Sequence, residues 1–415
     1  MLEKLKNEGY YYGALLYAFF IPFHQKLTTL ALIVWAVLSV FGLKKKAVYM
    51  NWPWMVFLAF YLTYFIGFFV SRNPYFRFLE TKLSFLIFPL LFISHNYTDA
   101  QRKKMLRLFL YGLLVAGLFC VLFSFYRSIG IQDGSFYFRA NVLEGKGFEE
   151  AILYGGNYFF GKHFSVFHQT VYFALYFCSG IAILLFCPKM FGKKLKWTLL
   201  LIFTLLVFLI SNKASFIALG LVLMFRLMTL KLDSLKKTIG VMLALGMIAL
   251  FALMNPRTKL AIHKVINGEL VIDKNARYGF ATRILTWDAA WSLIKEKPLL
   301  GYGAGDTQQQ LNEEYRQKEY RHPLKESYNA HNLWLQTWLE NGLPGLLLLM
   351  GIFVLSLKKA LWYKEYPNLF LALILVVFVN TLFESFFNRF SGVSFFSFLV
   401  CFILSVSRGA LKNET

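Results

Sequence analysis

Residues 283–305 read R-I-L-T-W-D-A-A-W-S-L-I-K-E-K-P-L-L-G-Y-G-A-G, and residues 331–345 read H-N-L-W-L-Q-T-W-L-E-N-G-L-P-G. In the first stretch Ile284, Trp287, Trp291 and Ile294 recur at three- and four-residue spacing, which makes one apolar stripe on a helix over 282–296. Pro298 and the run Gly301 to Gly305 end that helix in a flexible turn. In the second stretch a helix over 329–340 carries Leu335, Trp338 and Leu339 on its apolar side. Gly342 stops it, and Pro344 suits the first turn of the next element. The charged sequence 312–327, N-E-E-Y-R-Q-K-E-Y-R-H-P-L-K-E-S, lies between them and reads as a mobile, solvated insert. Both helices, with tryptophan at headgroup level, suit the surface of a membrane.

Working outward, the flanks are apolar. The 415 residues are 58% hydrophobic and only 16% charged, where a soluble domain has about a quarter of its residues charged. Mean hydropathy is +0.53. Apolar runs near membrane length recur at 10–23, 27–43, 52–71, 79–94, 105–129, 166–187, 195–210, 214–230, 237–254, 343–361, 368–387 and 391–407. Lipid offers no partner to backbone N–H and C=O, so solid runs of this kind are helices, and a β-barrel would alternate instead. The expected fold is all-α: a polytopic integral membrane protein of about twelve transmembrane helices with a large periplasmic loop containing amphipathic helices. Residues 1–254 form a membrane bundle with a cap at 130–165, residues 255–342 the large loop, and residues 343–415 the closing bundle and tail.

Basic residues orient the runs. Lys44 to Lys46, Arg102 to Lys104, Lys189 to Lys196, Lys231 to Lys237, and Lys358 with Lys359 each follow an even-numbered run. By the positive-inside rule these loops and both termini face the cytoplasm. The loops at 24–26, 72–78, 130–165, 211–213, 255–342 and 388–390 then face outward. The net charge of +22 reads as this anchoring. No basic soluble domain exists to hold a nucleic acid. The large loop carries twelve Lys/Arg and ten Asp/Glu, so its cations act locally. Residues 130–165 are rich in glycine and aromatics, lack helical period, and suggest an irregular cap. Cys120, Cys178, Cys187 and Cys401 have neither metal spacing nor an evident disulfide partner. The first residues, M-L-E-K-L-K-N-E-G, do not read as a signal peptide.

Several outward residues carry candidate chemistry. His331 fits a helix-start histidine bonded to backbone, and it fits a general base, since imidazole accepts a proton near neutral pH. Asn332 beside it suits a sugar hydroxyl or the imidazole. Arg283 fits an interfacial arginine, and it fits a diphosphate clamp with the helix N-terminus adding its own donors. Arg277 is a second cation nearby. Lys213 sits in the turn S-N-K-A-S, where it suits an ion pair or an anionic headgroup. Glu384 lies in the eleventh run and reads as the partner of a cation such as Lys213 or Arg389. His168 marks the outer start of the sixth run. Arg72, Arg77 and Lys82 flank a short outward turn and suit an anionic lipid headgroup. The sequence has no H-E-x-x-H, no phosphate-binding lysine loop, no G-x-S-x-G and no D-x-D. Their absence points away from a metal, a cofactor or a nucleotide and toward an already activated membrane-borne substrate.

The order R-x3-W, W-x6-P-L-L-G-Y-G-A-G (283–305), then H-N-L-W-L-Q-x-W-L-E-N-G-L-P-G (331–345) resembles the O-antigen ligase / O-antigen polymerase superfamily. The turn at 211–215, His168, and the pair Glu384 and Arg389 support it. The resemblance implies a metal-independent, inverting glycosyl transfer at the periplasmic face of a bacterial inner membrane. The implied donor is a glycan on undecaprenyl diphosphate; the implied acceptor in ligases is the lipid A–core sugar. Arg283 would contact the diphosphate and His331 would activate or position the acceptor hydroxyl. Lys213 stands where the family usually has arginine, and His168 precedes Gln169 where the family often has proline. An O-antigen polymerase or a protein O-oligosaccharyltransferase would use the same fold and donor. A lipid or solute transporter is the reading from another class, but the paired broken helices and internal repeats of transporters are not evident.

Overall fold

The computed structural model describes residues 2–41, 52–74, 76–187, 189–254, 274–276, 279–363 and 366–406. The main helices in chain order are α1 (Leu2–Phe20), α2 (Gln25–Phe41), α3 (Trp52–Val70), α4 (Phe76–Lys82), α5 (Ser84–Ser94), α6 (Asp99–Ser128), α7 (Thr170–Phe186), α8 (Lys193–Ile210), α9 (Lys213–Thr229), α10 (Ser234–Met254), α11 (Gly279–Glu296), α12 (Thr307–Gln317), α13 (Arg321–Lys325), α14 (Leu333–Trp362), α15 (Pro367–Thr381) and α16 (Phe390–Leu404). A helix lies over each of the expected apolar runs. Among the described residues, α3, α6 and α14 are long and apolar enough to cross a membrane, and α2, α7, α15 and α16 are shorter apolar helices.

The chain forms two compact units. The first takes Met1–Gly42, Tyr97–Glu269 and Glu365–Val379. In it α1 and α2 make a tight pair. Gly13 permits their approach, since a Cβ there would meet Trp35 Cα at 2.6 Å. The α6 helix opens on a capping box, with Thr98 and Gln101 satisfying each other's backbone N–H. Every residue from Val171 to Leu184 in α7 is buried, as expected for a helix that is apolar all round. The segment after α6 begins with a hairpin, β1 (Ile129–Gln132) and β2 (Ser135–Phe138), in antiparallel register. Asp133 and Gly134 both have positive φ, the two-residue turn that suits the twist of such strands. The four cysteines are buried and joined by no disulfide.

The second unit takes Leu43–Asn96, Leu270–Lys364 and Asn380–Thr415. Phenylalanines knit its apolar part together. Phe85 of α5 meets Phe387 at 4.8 Å and Phe60 of α3 at 5.2 Å, and Phe387 meets Phe396 of α16 at 5.0 Å. The large loop has its own core. Leu285, Ala289 and Leu293 of α11 pack with Leu311 and Tyr315 of α12, Tyr320, Ala330 and Leu339. The charged insert is therefore ordered rather than solvated along its length. Leu311 and Tyr315 lie four residues apart and turn one face of α12 inward, which the charge around them conceals.

The glycine run 301–305 is docked rather than flexible. Gly301 and Gly342 both take the left-handed region, at φ 67° and 63°. A Cβ on Gly342 would collide with the Leu299 carbonyl, so only glycine permits this approach. Tyr302 N–H donates to the Leu339 carbonyl (2.7 Å), and Leu343 N–H donates to that of Pro298 (3.0 Å). Further on, Gly305 N–H donates to Ser71 Oγ (3.1 Å), and the Asp306 carboxylate accepts from the N–H groups of Arg72 (2.8 Å) and Asn73 (3.1 Å). The turn thus fastens α11 to the break in α14 and to the end of α3. At Gly342 the loop helix passes directly into the long apolar helix, so α14 is one element with a kink.

Candidate active site

The site is built on a stretch that is not helical. The eleventh apolar run was expected to continue to 387, but α15 stops at Thr381 and α16 starts only at Phe390, with a short 3-10 turn at Phe386–Asn388 between them. Irregular backbone among apolar helices must find partners for its polar groups. Three side chains supply them. Asn332 Nδ2 donates to the Leu382 carbonyl (3.1 Å), Arg283 Nε to that of Phe383 (3.0 Å), and Lys82 Nζ to that of Phe387. Glu384 sits between these anchored positions.

His331 faces Glu384. Its Nδ1 is buried, makes no hydrogen bond, and lies 3.7 Å from Glu384 Oε2. Its side chain is 23% exposed and that of Glu384 13%, so both are shielded but reachable. His331 has φ 45°, a left-handed conformation that costs roughly 1–2 kcal/mol for a residue bearing a Cβ. The local sequence compensates that strain. Asn329 Oδ1 accepts from His331 N–H (2.9 Å), and Ala330 N–H donates to Gln336 Oε1 (3.0 Å). Asn332 then caps α14, accepting from the N–H groups of Trp334 (2.9 Å) and Leu335 (3.1 Å). The Tyr328 ring meets His331 edge-on at 5.0 Å.

Arg283 completes the group. It lies one turn inside α11, which begins at Gly279, so the helix N-terminal donors expected beside it belong to earlier residues. Its Nη1 donates to the Gly279 carbonyl (3.4 Å). Burial draws its pKa below the ordinary value, while the Glu384 carboxylate and the Tyr328 phenol oppose that shift. A guanidinium stays charged throughout the neutral range and carries five N–H donors in a planar fork. Two of them hold backbone carbonyls here, which fixes the plane of the fork while leaving capacity for an anion.

The expected residues separate as follows. Arg283, His331, Asn332 and Glu384 come together in the second unit. The Asn332 amide is committed to backbone rather than to the imidazole. Glu384 pairs with His331 and acts on Arg283; among the described residues no ion pair joins it to Arg389, which is exposed and caps α16. Lys82 is fully buried and makes no headgroup contact at the surface. Lys213 and His168 belong to the first unit. Lys213 is exposed and opens α9, whose cap is Asn212. His168 is buried against Tyr176, with ring centroids 5.2 Å apart. Arg277 lies outside the described residues. Tyr328 was not foreseen; only its place three residues before His331 hinted at it.

Residues 197–350 match the family described as O-antigen ligase. The match takes in Lys213, Arg283, His331 and Asn332 and stops short of Glu384. No curated protein matches the chain. This match and the apolar helices together support a bacterial membrane protein with a role in O-antigen- or lipopolysaccharide-related glycan transfer. The match over residues 197–350 supports the resemblance to the O-antigen ligase superfamily.

Proposed function

We propose that the chain is a glycosyltransferase at the periplasmic face of the inner membrane, with about twelve spans and both termini cytoplasmic. It moves a glycan from undecaprenyl diphosphate to the lipid A–core sugar, with inversion and without a metal. The observation that carries this reading is the convergence of Arg283, His331 and Glu384 on one irregular segment. The acceptor hydroxyl attacks the anomeric carbon, a C–O bond forms, and the bond from that carbon to the diphosphate oxygen breaks. The leaving diphosphate takes the electron pair, and the Arg283 fork neutralises the charge that develops on it. The hydroxyl proton passes to His331. Glu384 beside Nδ1 stabilises the imidazolium that results, and this leaves Nε2 for the acceptor. The sequence also offers Lys213 and Arg277 as cations for an anionic headgroup, Lys213 in the first unit and Arg277 outside the described residues.

The test is transfer by purified protein. Undecaprenyl-diphosphate-linked glycan and lipid A–core are mixed with it in EDTA without nucleotide, and products are run on a gel beside His331→Ala. A core-linked ladder that depends on His331 supports a metal-independent ligase. Longer lipid-linked glycan instead means a polymerase, and glycosylated protein acceptor means an oligosaccharyltransferase. Folded protein that gives none of these products, and moves lipid without bond formation, overturns the reading in favour of a transporter.

A further inference from the structure

Lys82 and Glu340 are the most deeply buried charged side chains among the described residues, 0% and 2% exposed. The transfer chemistry gives neither a task. An isolated charge in such a place is costly, so each must be paired or hydrogen-bonded. Lys82 Nζ donates to the Phe387 carbonyl and lies over the rings of Phe78 (4.3 Å) and Tyr64 (5.1 Å). Glu340 and Lys82 act on each other electrostatically. Glu340 Oε1 accepts from Gln336 Nε2 (2.6 Å), and Gln336 Oε1 accepts from Ala330 N–H (3.0 Å). One end of this chain therefore holds the residue before His331. The other holds a carbonyl three residues beyond Glu384.

We propose that Lys82, Glu340 and Gln336 are positioning residues, a buried chain of charge and hydrogen bonds that sets the 3.7 Å separation of His331 and Glu384. The inference rests on the transfer reading above for its kinetic test. A backbone in the left-handed region and a non-helical segment are each free to drift unless held, and drift of a fraction of an ångström costs rate rather than affinity. A pair serving fold stability alone would leave the kinetics of folded variants unchanged.

The experiment uses the full chain in lipid nanodiscs, with Gln336→Leu, Lys82→Met and the double variant Lys82→Met/Glu340→Gln. Two readouts are taken: kcat and KM for the lipid-diphosphate donor, and hydrogen exchange of the segments 326–337 and 381–389. Gln336→Leu is expected to lower kcat about 10- to 100-fold with KM within about twofold. Exchange at 329–332 is expected to quicken while 285–294 keeps its rate. Lys82→Met is expected to do worse than the double variant, because the single change leaves the Glu340 charge buried without its counterpart. Wild-type kcat in Gln336→Leu overturns the proposal, as does a loss of kcat matched by a rise in KM. If Lys82→Met fails to fold, Gln336→Leu decides. If the wild type makes no transferred product, the functional reading fails, yet the exchange rates still judge the chain: unaltered exchange in all folded variants sinks it.

Discussion

Two apolar segments look alike on paper and fold differently. Residues 170–186 form one uninterrupted helix, α7, buried on every side. Residues 367–404 are nearly as apolar, yet the helix stops at Thr381 and resumes at Phe390. The difference lies in the polar residues Asn380, Thr381, Glu384, Ser385 and Asn388, grouped within nine positions of the second segment. A buried helix gives its backbone groups to one another and needs nothing from elsewhere. A broken one leaves carbonyls that other elements must meet, and here Asn332, Arg283 and Lys82 meet them. Apolarity marks membrane; a polar cluster inside it marks where neighbours converge.

The largest expected effect breaks the comparison at its chemistry. His331→Ala and Arg283→Ala are each expected to lower transfer about 10^3-fold, while expression and membrane insertion persist, checked by product gels on protein of native elution volume. A lysine at 283 keeps charge but cannot hold the Phe383 carbonyl and an anion with one planar fork, so Arg283→Lys should fall by about 10^2-fold. The matching control is a polar-to-apolar change in α7. Ser179 hydrogen-bonds only its own helix, to the Leu175 carbonyl (2.9 Å), and Ser179→Ala should leave transfer within about twofold.

A middle effect concerns the glycine at the kink. Gly342→Ala forces a Cβ into the Leu299 carbonyl from a positive φ, at a cost of about 1–3 kcal/mol. A clear drop in the thermal midpoint is expected, read by intrinsic fluorescence in detergent. An unchanged midpoint would show that the turn at 299–301 yields. Asn332→Ala removes both the cap and the Leu382 tie and should cost about 1 kcal/mol in stability, with a larger loss in kcat than stability alone explains.

The smallest effect is a pH dependence in the loop core. Burial alone would raise the Asp288 pKa, but hydrogen bonds from Lys318 (2.6 Å) and Tyr320 (2.8 Å) bring it below its ordinary value of 3.8. A depressed carboxylate stabilises the folded loop above its unfolded pKa and loses that contribution as pH falls through the folded value. Lys318 is raised above 10.5, although its burial works against the shift, so its share is full below that pH and fades above it. Asp288 is half exposed, so the effect is slight. Hydrogen exchange of 307–320 should quicken below about pH 4 in the wild type, and Asp288→Asn should flatten that slope.

Much of this was legible in the residues. The periodic Ile284, Trp287, Trp291 and Ile294 announced α11, and Gly342 with Pro344 announced the kink. Arg283 stood out as the cation at the start of the first loop helix, and His331 as the histidine between an aromatic-rich helix and the charged insert. Glu384 was legible as an acid in need of a partner, but its partner was not, because residues 331 and 384 meet only through the fold. Lys82 read as a surface cation since nothing in F-R-F-L-E-T-K reveals a carbonyl waiting 305 positions later. The ordered insert escaped for a related reason: two inward residues, Tyr315 and Tyr320, are outvoted by the charges around them.

The three anchored carbonyls also carry an order in time. Lys82, Arg283 and Asn332 all precede residues 382–387 in the sequence, so each donor has left the ribosome before the oxygen it will hold. The irregular segment enters last, into a receptor already synthesised. Until it arrives, the guanidinium lacks the Phe383 carbonyl and the ammonium that of Phe387, and Glu384 is absent from His331. On the proposed reading the site is complete only once this last segment is in place.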